Sequence, residues 1–171
     1  MKNPLVIRPI QQSDFASLNE YFGPSTVYKK TNEQWTKYLE ETQKGIRLAV
    51  VAEMDSKTIG YATLKFDSEY SPFKDAGIPE INDLGVAPSE RNSGVGRTMI
   101  EFLEQAAKEK GCTEIGIGFG LYNDYGPAQR LYVKMGYIPD GRGVMYNYEP
   151  VTPGKSYPVD DDLVLFFTKL L

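Results

Sequence analysis

Apolar positions along the chain change period several times, and each change marks a new element. Leu5-Val6-Ile7-Arg8 predicts a short first strand. Phe15, Leu18 and Tyr21-Phe22 predict a helix that Gly23-Pro24-Ser25 ends. Thr31-x-x-Gln34 has the spacing of a capping box, in which two side chains satisfy free N–H groups at a helix start. The second helix should therefore open at Thr31 and stop at Gly45, a suitable residue for the left-handed C-terminal position. Two β-rich runs follow, 46–53 and 59–66, joined by a hairpin turn over 54–58. The segment 67–79 carries Ser, Pro, Gly and Asp without periodicity and reads as a loop, and 81–86 reads as a strand.

The clearest amphipathic helix comes next. Val95, Met99, Phe102 or Leu103, and Ala106 repeat at helical spacing, and Gly111 closes the segment after Lys108-Glu109-Lys110. A strand is expected over 113–119. Ala128, Leu131, Tyr132 and Met135 fall at i, i+3, i+4 and i+7, on one face of a short helix ending at Gly136. Tyr137-Ile138 begins another strand, and 163–168 forms the last after a Pro/Gly-rich connection over 139–162. The order is strand, two helices, three strands, helix, strand, helix, two strands. That is a mixed α/β or α+β chain of about seven strands and four helices, without repeats.

With 171 residues, 41% hydrophobic and 25% charged, one well-buried core is expected, hence a single domain over 1–171. Apolar runs such as Leu48 to Ala52 are too short to span a bilayer. Met1-Lys2-Asn3-Pro4 has no apolar stretch of a secretory leader, so a cytoplasmic protein is expected. The net charge of −4 disfavours nucleic acid as partner and suits a neutral or cationic one better. Cys112 is the only cysteine and there is no histidine, which excludes an intrachain disulfide, histidine-based triads and Cys/His zinc sites. Proton transfer must use carboxylates, tyrosine, lysine, backbone or water.

The chemistry concentrates in Asp83-Leu84-Gly85-Val86-Ala87-Pro88-Ser89-Glu90-Arg91-Asn92-Ser93-Gly94-Val95-Gly96-Arg97-Thr98, a strand, a turn and a glycine-bearing loop that opens a helix. Such a helix start exposes backbone N–H groups at the positive end of the macrodipole. Gly94 and Gly96 admit an anion close to the backbone, and Arg91 and Arg97 add charge. A pyrophosphate is the natural occupant. Gly96-Arg97-Thr98 lacks the Gly-Lys-Ser/Thr of a P-loop, and no third glycine completes a dinucleotide fingerprint. Taken alone, the hexamer fits a glycine-rich turn before an ordinary helix equally well.

The flanking residues decide between these readings. Leu84-x-Val86, Arg91-x-x-Gly94-x-Gly96 and Ala128-x-x-Leu131-Tyr132-x-x-x-Gly136-Tyr137 occur in one order on strand, loop-helix and helix. This resembles the Gcn5-related N-acetyltransferase superfamily, with its motif A over 80–97 and motif B over 123–138. The resemblance implies a mixed, centrally splayed sheet and transfer of an acetyl group from acetyl-CoA to a primary amine. Attack is direct, in a ternary complex, without metal or covalent enzyme intermediate. It implies that the pantetheine arm lies along Leu84, Gly85 and Val86. Residues Arg91, Asn92, Ser93, Gly94, Val95, Gly96, Arg97 and Thr98 then hold the pyrophosphate. Gly85 inside a strand marks a bulge whose freed N–H polarises the thioester carbonyl, or else simply makes room for a neighbouring side chain.

An alkyl amine with pKa near 10.4 is almost wholly protonated at neutral pH, so a base or a water chain to one is needed. Glu80 and Asp83 are the two candidates: the superfamily often places its carboxylate at the position of Glu80, some members have an acidic residue where Asp83 stands, and both remain open, as does a surface or capping role for either. Tyr132 matches the tyrosine that serves as general acid toward the departing thiolate; a core aromatic is the plainer alternative. Motif B commonly has an asparagine seven residues before its tyrosine. Here Tyr125 occupies that position and Asn123, two residues earlier, is the candidate cofactor contact.

Arg130 and Lys134 read as a solvated basic edge, Cys112 as a small buried residue, and Trp35 as core or pocket wall. Acceptor recognition is expected from Tyr21, Phe22 and Tyr28, from Asp67, Glu69, Tyr70 and Phe73, and from the 139–162 connection with Tyr146, Tyr148, Tyr157 and Asp160-Asp161-Asp162. The acceptor is a small-molecule or peptide amine, with neither nucleic acid nor membrane as partner, and a homodimer stays open. The rival class is a non-catalytic acyl-CoA-binding sensor, which would keep the pyrophosphate loop but not the proton-handling residues.

Overall fold

The computed structural model describes residues 4–171. Met1-Lys2-Asn3, read above as lacking a leader, lies outside them. The first half of the chain runs β1 (Val6–Pro9), α1 (Phe15–Phe22), α2 (Asn32–Gln43), β2 (Arg47–Met54), β3 (Lys57–Lys65), α3 (Ser71–Ala76) and β4 (Glu80–Val86). The second half runs α4 (Val95–Glu109), β5 (Glu114–Gly120), α5 (Gly126–Lys134), β6 (Ile138–Tyr146), β7 (Glu149–Pro150) and β8 (Leu163–Leu170). These elements form two compact units. One comprises the residues up to Lys65 with Ile81–Ala106, the other Phe66–Glu80 with Ala107–Leu171.

In the first unit β1, β2, β3 and β4 lie side by side in that order, with β1–β2 and β2–β3 antiparallel. The β2–β3 hairpin closes through Asp55 and Ser56, both at positive φ, between the paired residues Met54 and Lys57. That two-residue connection has the handedness that matches strand twist. β3 is buried at every position from Thr58 to Leu64, as a strand covered on both faces must be. The capping box of α2 is complete: Thr31 Oγ1 accepts from Gln34 N–H at 3.3 Å, and Gln34 Oε1 accepts from Thr31 N–H at 2.9 Å. α2 sends Trp35 and Tyr38 into the core, and Trp35 Nε1 donates to Asn19 Oδ1 at 2.9 Å. Along α4, Val95, Met99 and Leu103 are buried, while Phe102 is exposed. Leu103 therefore carries the stripe that the spacing left open between two residues.

In the second unit the strands lie in the order β5, β8, β6, β7, every pair antiparallel. Tyr70, Phe73, Met145 and Phe166 form a buried cluster, with the rings of Tyr70 and Phe166 stacked at 3.8 Å between centroids.

Three expectations change. The segment 67–79 is not all loop, because α3 runs from Ser71 to Ala76 with Pro72 in its first turn and Gly77 at φ 66° as its stop. Six residues are too few for a helical repeat to show. The 139–162 connection is also partly strand. β6 continues to Tyr146, turns through Asn147 and Tyr148 at positive φ, and pairs with the two-residue β7. The described residues therefore hold eight strands and five α-helices rather than seven and four. Cys112 is half-buried, not buried. The fold class is mixed α/β with mostly antiparallel pairing, as expected. Among the described residues no helix is long and apolar enough to cross a membrane.

Candidate active site

β4 ends at Val86, a single 3-10 turn covers Pro88–Glu90, and α4 begins at Val95. Between turn and helix, Asn92 and Gly94 have φ of 61° and 93°, values that Asn tolerates and Gly adopts freely. A side chain added at Gly94 would meet nothing within 4 Å, so the loop surface is open there. The first hydrogen bond of α4 runs from Thr98 N–H to the Gly94 carbonyl at 3.0 Å. The N–H groups of Val95, Gly96 and Arg97 precede it and have no carbonyl within the helix to bond.

The side-chain oxygens of the loop turn inward. Ser93 Oγ donates to the Glu90 carbonyl at 2.5 Å and Thr98 Oγ1 to the Gly94 carbonyl at 3.2 Å. The stretch thus combines N–H groups without a helical carbonyl partner and two guanidinium groups, a set that suits a multiply charged oxyanion. Arg91 is also tied to the end of β4: its Nη2 donates to Tyr28 Oη at 2.7 Å and its Nε to the Val86 carbonyl at 3.4 Å. Arg97 makes only an exposed contact with Glu101 at 3.5 Å, worth little energetically, so its charge stays available.

β4 is irregular at Asp83, where φ is +67°, rather than at Gly85. The left-handed region costs ordinary L-residues about 1–2 kcal/mol, and Asp is among the few that visit it. The Asp83 carboxylate accepts three hydrogen bonds. Lys30 Nζ and Tyr38 Oη donate to Oδ2, the latter at 2.6 Å, and Tyr61 Oη donates to Oδ1 at 2.7 Å. Burial first, and the adjacent Asp83 charge second, raise both tyrosine hydroxyls far above their ordinary pKa. They act as fixed hydrogen-bond donors. Gly85 is buried, and a Cβ there would come within 2.6 Å of Tyr61 Cε1 and 3.1 Å of Phe22 Cε1. Of the two readings of Gly85, making room for a neighbour is the one observed. Leu84 and Val86 on either side are half-buried.

In the second unit Glu80 is 4% exposed and accepts from Ser68 Oγ at 2.5 Å. Ser68 Oγ in turn accepts the N–H of Tyr70 at 3.0 Å, which fixes its rotamer. Tyr132 is 5% exposed, its ring against Phe119 and Tyr137 at 5.4 and 6.3 Å between centroids. Its hydroxyl makes no hydrogen bond to another described residue. Since no fully buried side-chain polar atom lacks a partner among the described residues, that oxygen must reach the surface. Burial alone pushes its pKa up to about 12. On the same helix face Met135 is buried and Ala128 and Leu131 are half-buried, as the spacing predicts.

Tyr125, standing where motif B usually has asparagine, has a different occupation. Its ring packs over Gly120, and its hydroxyl donates to Asp161 Oδ1 at 2.9 Å beside that of Tyr122 at 2.5 Å. Asn123 is exposed at the start of the short turn Asn123–Tyr125. Of the expected acceptor residues, Phe22, Tyr70 and Phe73 are core. Tyr146 Oη donates to Asp160 Oδ2 at 3.2 Å, and Tyr157 Oη accepts the N–H of Thr152 at 2.8 Å. Arg130 and Lys134 are exposed and border a shallow depression with Gln129 and Val133. No group of three or more metal-binding side chains occurs among the described residues.

The first unit thus gathers Asp83, Leu84, Gly85 and Val86 with Arg91 to Thr98. Glu80, Tyr132 and Asn123 belong to the second. The partners that sequence reasoning missed are Lys30, Tyr38 and Tyr61 on Asp83, Ser68 on Glu80 and Asp161 on Tyr125. They stand 12 to 53 residues from the groups they hold, and nothing local signals such pairs.

The comparisons bear on the fold and the family. No curated protein matches the chain by sequence. Among solved structures, an N-acetyltransferase from Staphylococcus aureus Mu50 superposes with a TM-score of 0.73 at 19% identity, covering 98% of this chain and 99% of that one. A ribosomal-protein-alanine N-acetyltransferase from Brucella melitensis gives 0.72 at 21% identity, over 97% and 99%. The protein yncA from Salmonella typhimurium, solved with its cofactor acetyl-CoA, gives 0.69 at 19% identity, over 98% and 94%. At these identities the likeness is one of fold. The sequence model of the acetyltransferase (GNAT) family matches residues 11–137, most of the chain and both motifs, and the chain belongs to that family.

Proposed function

We propose that this protein is an acetyl-CoA-dependent N-acetyltransferase, one catalytic domain over 1–171, that acetylates a primary amine of a small molecule or peptide. The observation that carries this reading is the 91–98 loop, with its open N–H groups at the start of α4, left-handed Asn92 and Gly94, and two arginines. A pyrophosphate needs donors and positive charge, and the loop supplies both. Family membership and a neighbour solved with acetyl-CoA support the same ligand. The Brucella melitensis neighbour, described as acting on ribosomal-protein alanine, supports an amine as acceptor.

In this reading acetyl-CoA supplies an activated thioester carbonyl, and the protein supplies binding and proton handling. Arg91 to Thr98 hold the anionic end, and the backbone of Leu84, Gly85 and Val86 lines the pantetheine arm. Glu80, rather than Asp83 with its counter-charge at Lys30, draws the proton from the ammonium, directly or through water. Tyr132 faces the departing sulfur. A hydroxyl at about 12 keeps its proton against a thiolate whose thiol ordinarily ionises near 8.5, so Tyr132 serves by donating a hydrogen bond, with full proton transfer left to solvent. Asn123 is a further cofactor contact.

The test is differential stabilisation by ligand. Acetyl-CoA should raise the melting temperature, and pantetheine without its phosphates should raise it much less. Gly94→Val places a branched side chain over the loop, and at φ 93° it also strains the backbone, so the ligand-induced shift is the quantity to compare. That shift should vanish. An equal shift in wild type and variant would overturn the loop assignment, and an amine panel with thiol detection that shows no turnover would overturn the activity.

A further inference from the structure

We propose that Lys30 is a positioning residue for the acetyl transfer inferred above: by pairing with Asp83 between two tyrosine rings, it sets the backbone of β4 at Leu84, Gly85 and Val86. The proposal rests on the acetyltransferase reading for its functional half alone. Its structural half stands on the geometry of the first unit.

Asp83 is the left-handed residue of β4, at φ 67°, and such residues persist only where the surroundings hold them. Three elements converge on its carboxylate. Tyr38 reaches it from α2, Tyr61 from β3, and Lys30 from the turn between α1 and α2. Lys30 is the charged member, with its Nζ on Oδ2 and lying 5.9 Å and 5.8 Å from the ring centroids of Tyr38 and Tyr61. Its side chain is 15% exposed and that of Asp83 20%, so water screens the pair little. Lys30 is itself anchored, since its N–H donates to the Phe22 carbonyl at 2.9 Å.

Tyr61 transmits the constraint along the strand. Its hydroxyl holds Asp83, while its ring edge lies against Gly85 and packs on Phe22 and Trp35 at 4.9 and 5.1 Å between centroids. The strand is therefore gripped at Asp83 through charge and at Gly85 through shape, two residues apart. The same arrangement assigns Asp83 a structural part. A carboxylate that already accepts from an ammonium and two phenols has a counter-charge and no need of the acceptor's proton. Removing Lys30 leaves that carboxylate charged and half-sealed without its cation. Rotation of β4 at Asp83 toward water relieves this, and it moves the peptide units that follow.

Two readouts test this, one of them independent of activity. In the cofactor-free protein, Lys30→Met should shift the backbone amide resonances of Asp83 to Val86 and speed their hydrogen exchange, while Lys30→Arg, which keeps the charge, should lie closer to wild type. With acetyl-CoA and the best amine of the panel, Lys30→Met should lower kcat by about a hundredfold, the scale of a misplaced reacting group, while KM for acetyl-CoA changes by less than about threefold. In the double variant Lys30→Met/Asp83→Asn no charge is left unpaired, and Asn tolerates the left-handed region, so kcat should recover above that of Lys30→Met. Unmoved amides in Lys30→Met would overturn the proposal, as would a double variant slower than either single one, which would make Asp83 a base. If no amine is turned over at all, the acetyltransferase reading fails while the amide measurement still decides the brace. If Lys30→Met does not fold, Tyr38→Phe removes one donor to the same carboxylate and must shift the same amides, and unmoved amides there overturn the proposal equally.

Discussion

The ring edge of Tyr61 occupies the space next to Gly85 where any other residue would carry its side chain, 2.6 Å from an ideal Cβ. Tyr61 is 2% exposed and wedged among Phe22 and Trp35, so it cannot swing aside. Gly85→Ala is thus an overpacking substitution, with a typical cost of about 1–3 kcal/mol. For a chain of this length that corresponds to a fall in melting temperature of roughly 2–12 °C. A calorimetric or fluorescence melt decides it; an alanine variant as stable as wild type would mean that Tyr61 does not lie against this strand.

Tyr132→Phe separates packing from chemistry. The ring contacts with Phe119 and Tyr137 survive the substitution, and the lost hydroxyl has no hydrogen bond to another described residue. The usual net loss of about 1 kcal/mol for a deleted hydrogen bond should therefore not appear. Melting temperature and acetyl-CoA affinity should stay near wild type, while kcat falls by about 10²–10³-fold, the range for losing one hydrogen-bond donor to developing charge. Steady-state rates combined with a melt check both halves. A variant that loses stability and keeps its rate would make Tyr132 a core residue and nothing more.

What could be read in advance was local. Thr31 and Gln34 are three positions apart, so their capping box shows in the sequence and is present in the structure. Gly94 and Gly96 stand at the start of a helix, and it took the flanking motif residues, not their spacing alone, to point to an anion there. Tyr132 falls on an inward helix face by periodicity. Short or interrupted elements escaped: α3 has six residues, and β6 hides among Gly141, Gly143 and Pro139. The electrostatics of β4 escaped entirely. Asp83 and Glu80 look alike as carboxylates on one strand. Only folding reveals that Lys30, 53 residues away, neutralises the first and that Ser68 bonds the second.

Alkaline pH should expose the buried phenols. Tyr132 is pushed up to about 12 by burial alone. Tyr38, Tyr61 and Tyr125 are raised as well, with burial the largest cause in each. An unfolded tyrosine ionises near pH 10. Above that, the folded chain keeps protons that the unfolded chain releases, so the unfolded state binds fewer and stability falls with pH. The contribution is complete below about pH 10 and, for Tyr132, is lost as pH rises to about 12. Melts from pH 8 to about 11.5 should show this decline. Tyr132→Phe removes one of the titrating groups and should make it shallower. Stability that stays flat to about pH 11 would contradict the burial of these hydroxyls.

Glu80 is the second candidate carboxylate of β4, and its setting makes a sharp test practicable. It is buried at 4% exposure and accepts from Ser68 Oγ at 2.5 Å. Glu80→Gln retains an oxygen that can accept the same bond and changes little volume, so the variant loses charge and basicity rather than shape. If Glu80 draws the proton from the ammonium, kcat should fall by about a hundredfold near neutrality. The deficit should shrink toward pH ~9–10, because an amine with pKa near 10.4 supplies more of its own neutral form there. Those values stay below the pH at which the buried tyrosines begin to undermine the fold, so both forms of the enzyme can be followed across the window. If Glu80 instead only attracts the cationic acceptor, Glu80→Gln raises KM for the amine at every pH and leaves the kcat profile in place. Ser68→Ala supplies the complementary measurement. Removing its hydrogen bond to the carboxylate makes Glu80 a stronger base, since that bond favours the charged form. The rising limb of the rate profile should accordingly move to higher pH in Ser68→Ala and be absent as a carboxylate limb in Glu80→Gln. Coincident profiles for wild type, Glu80→Gln and Ser68→Ala would remove Glu80 from the reaction and leave solvent as the base.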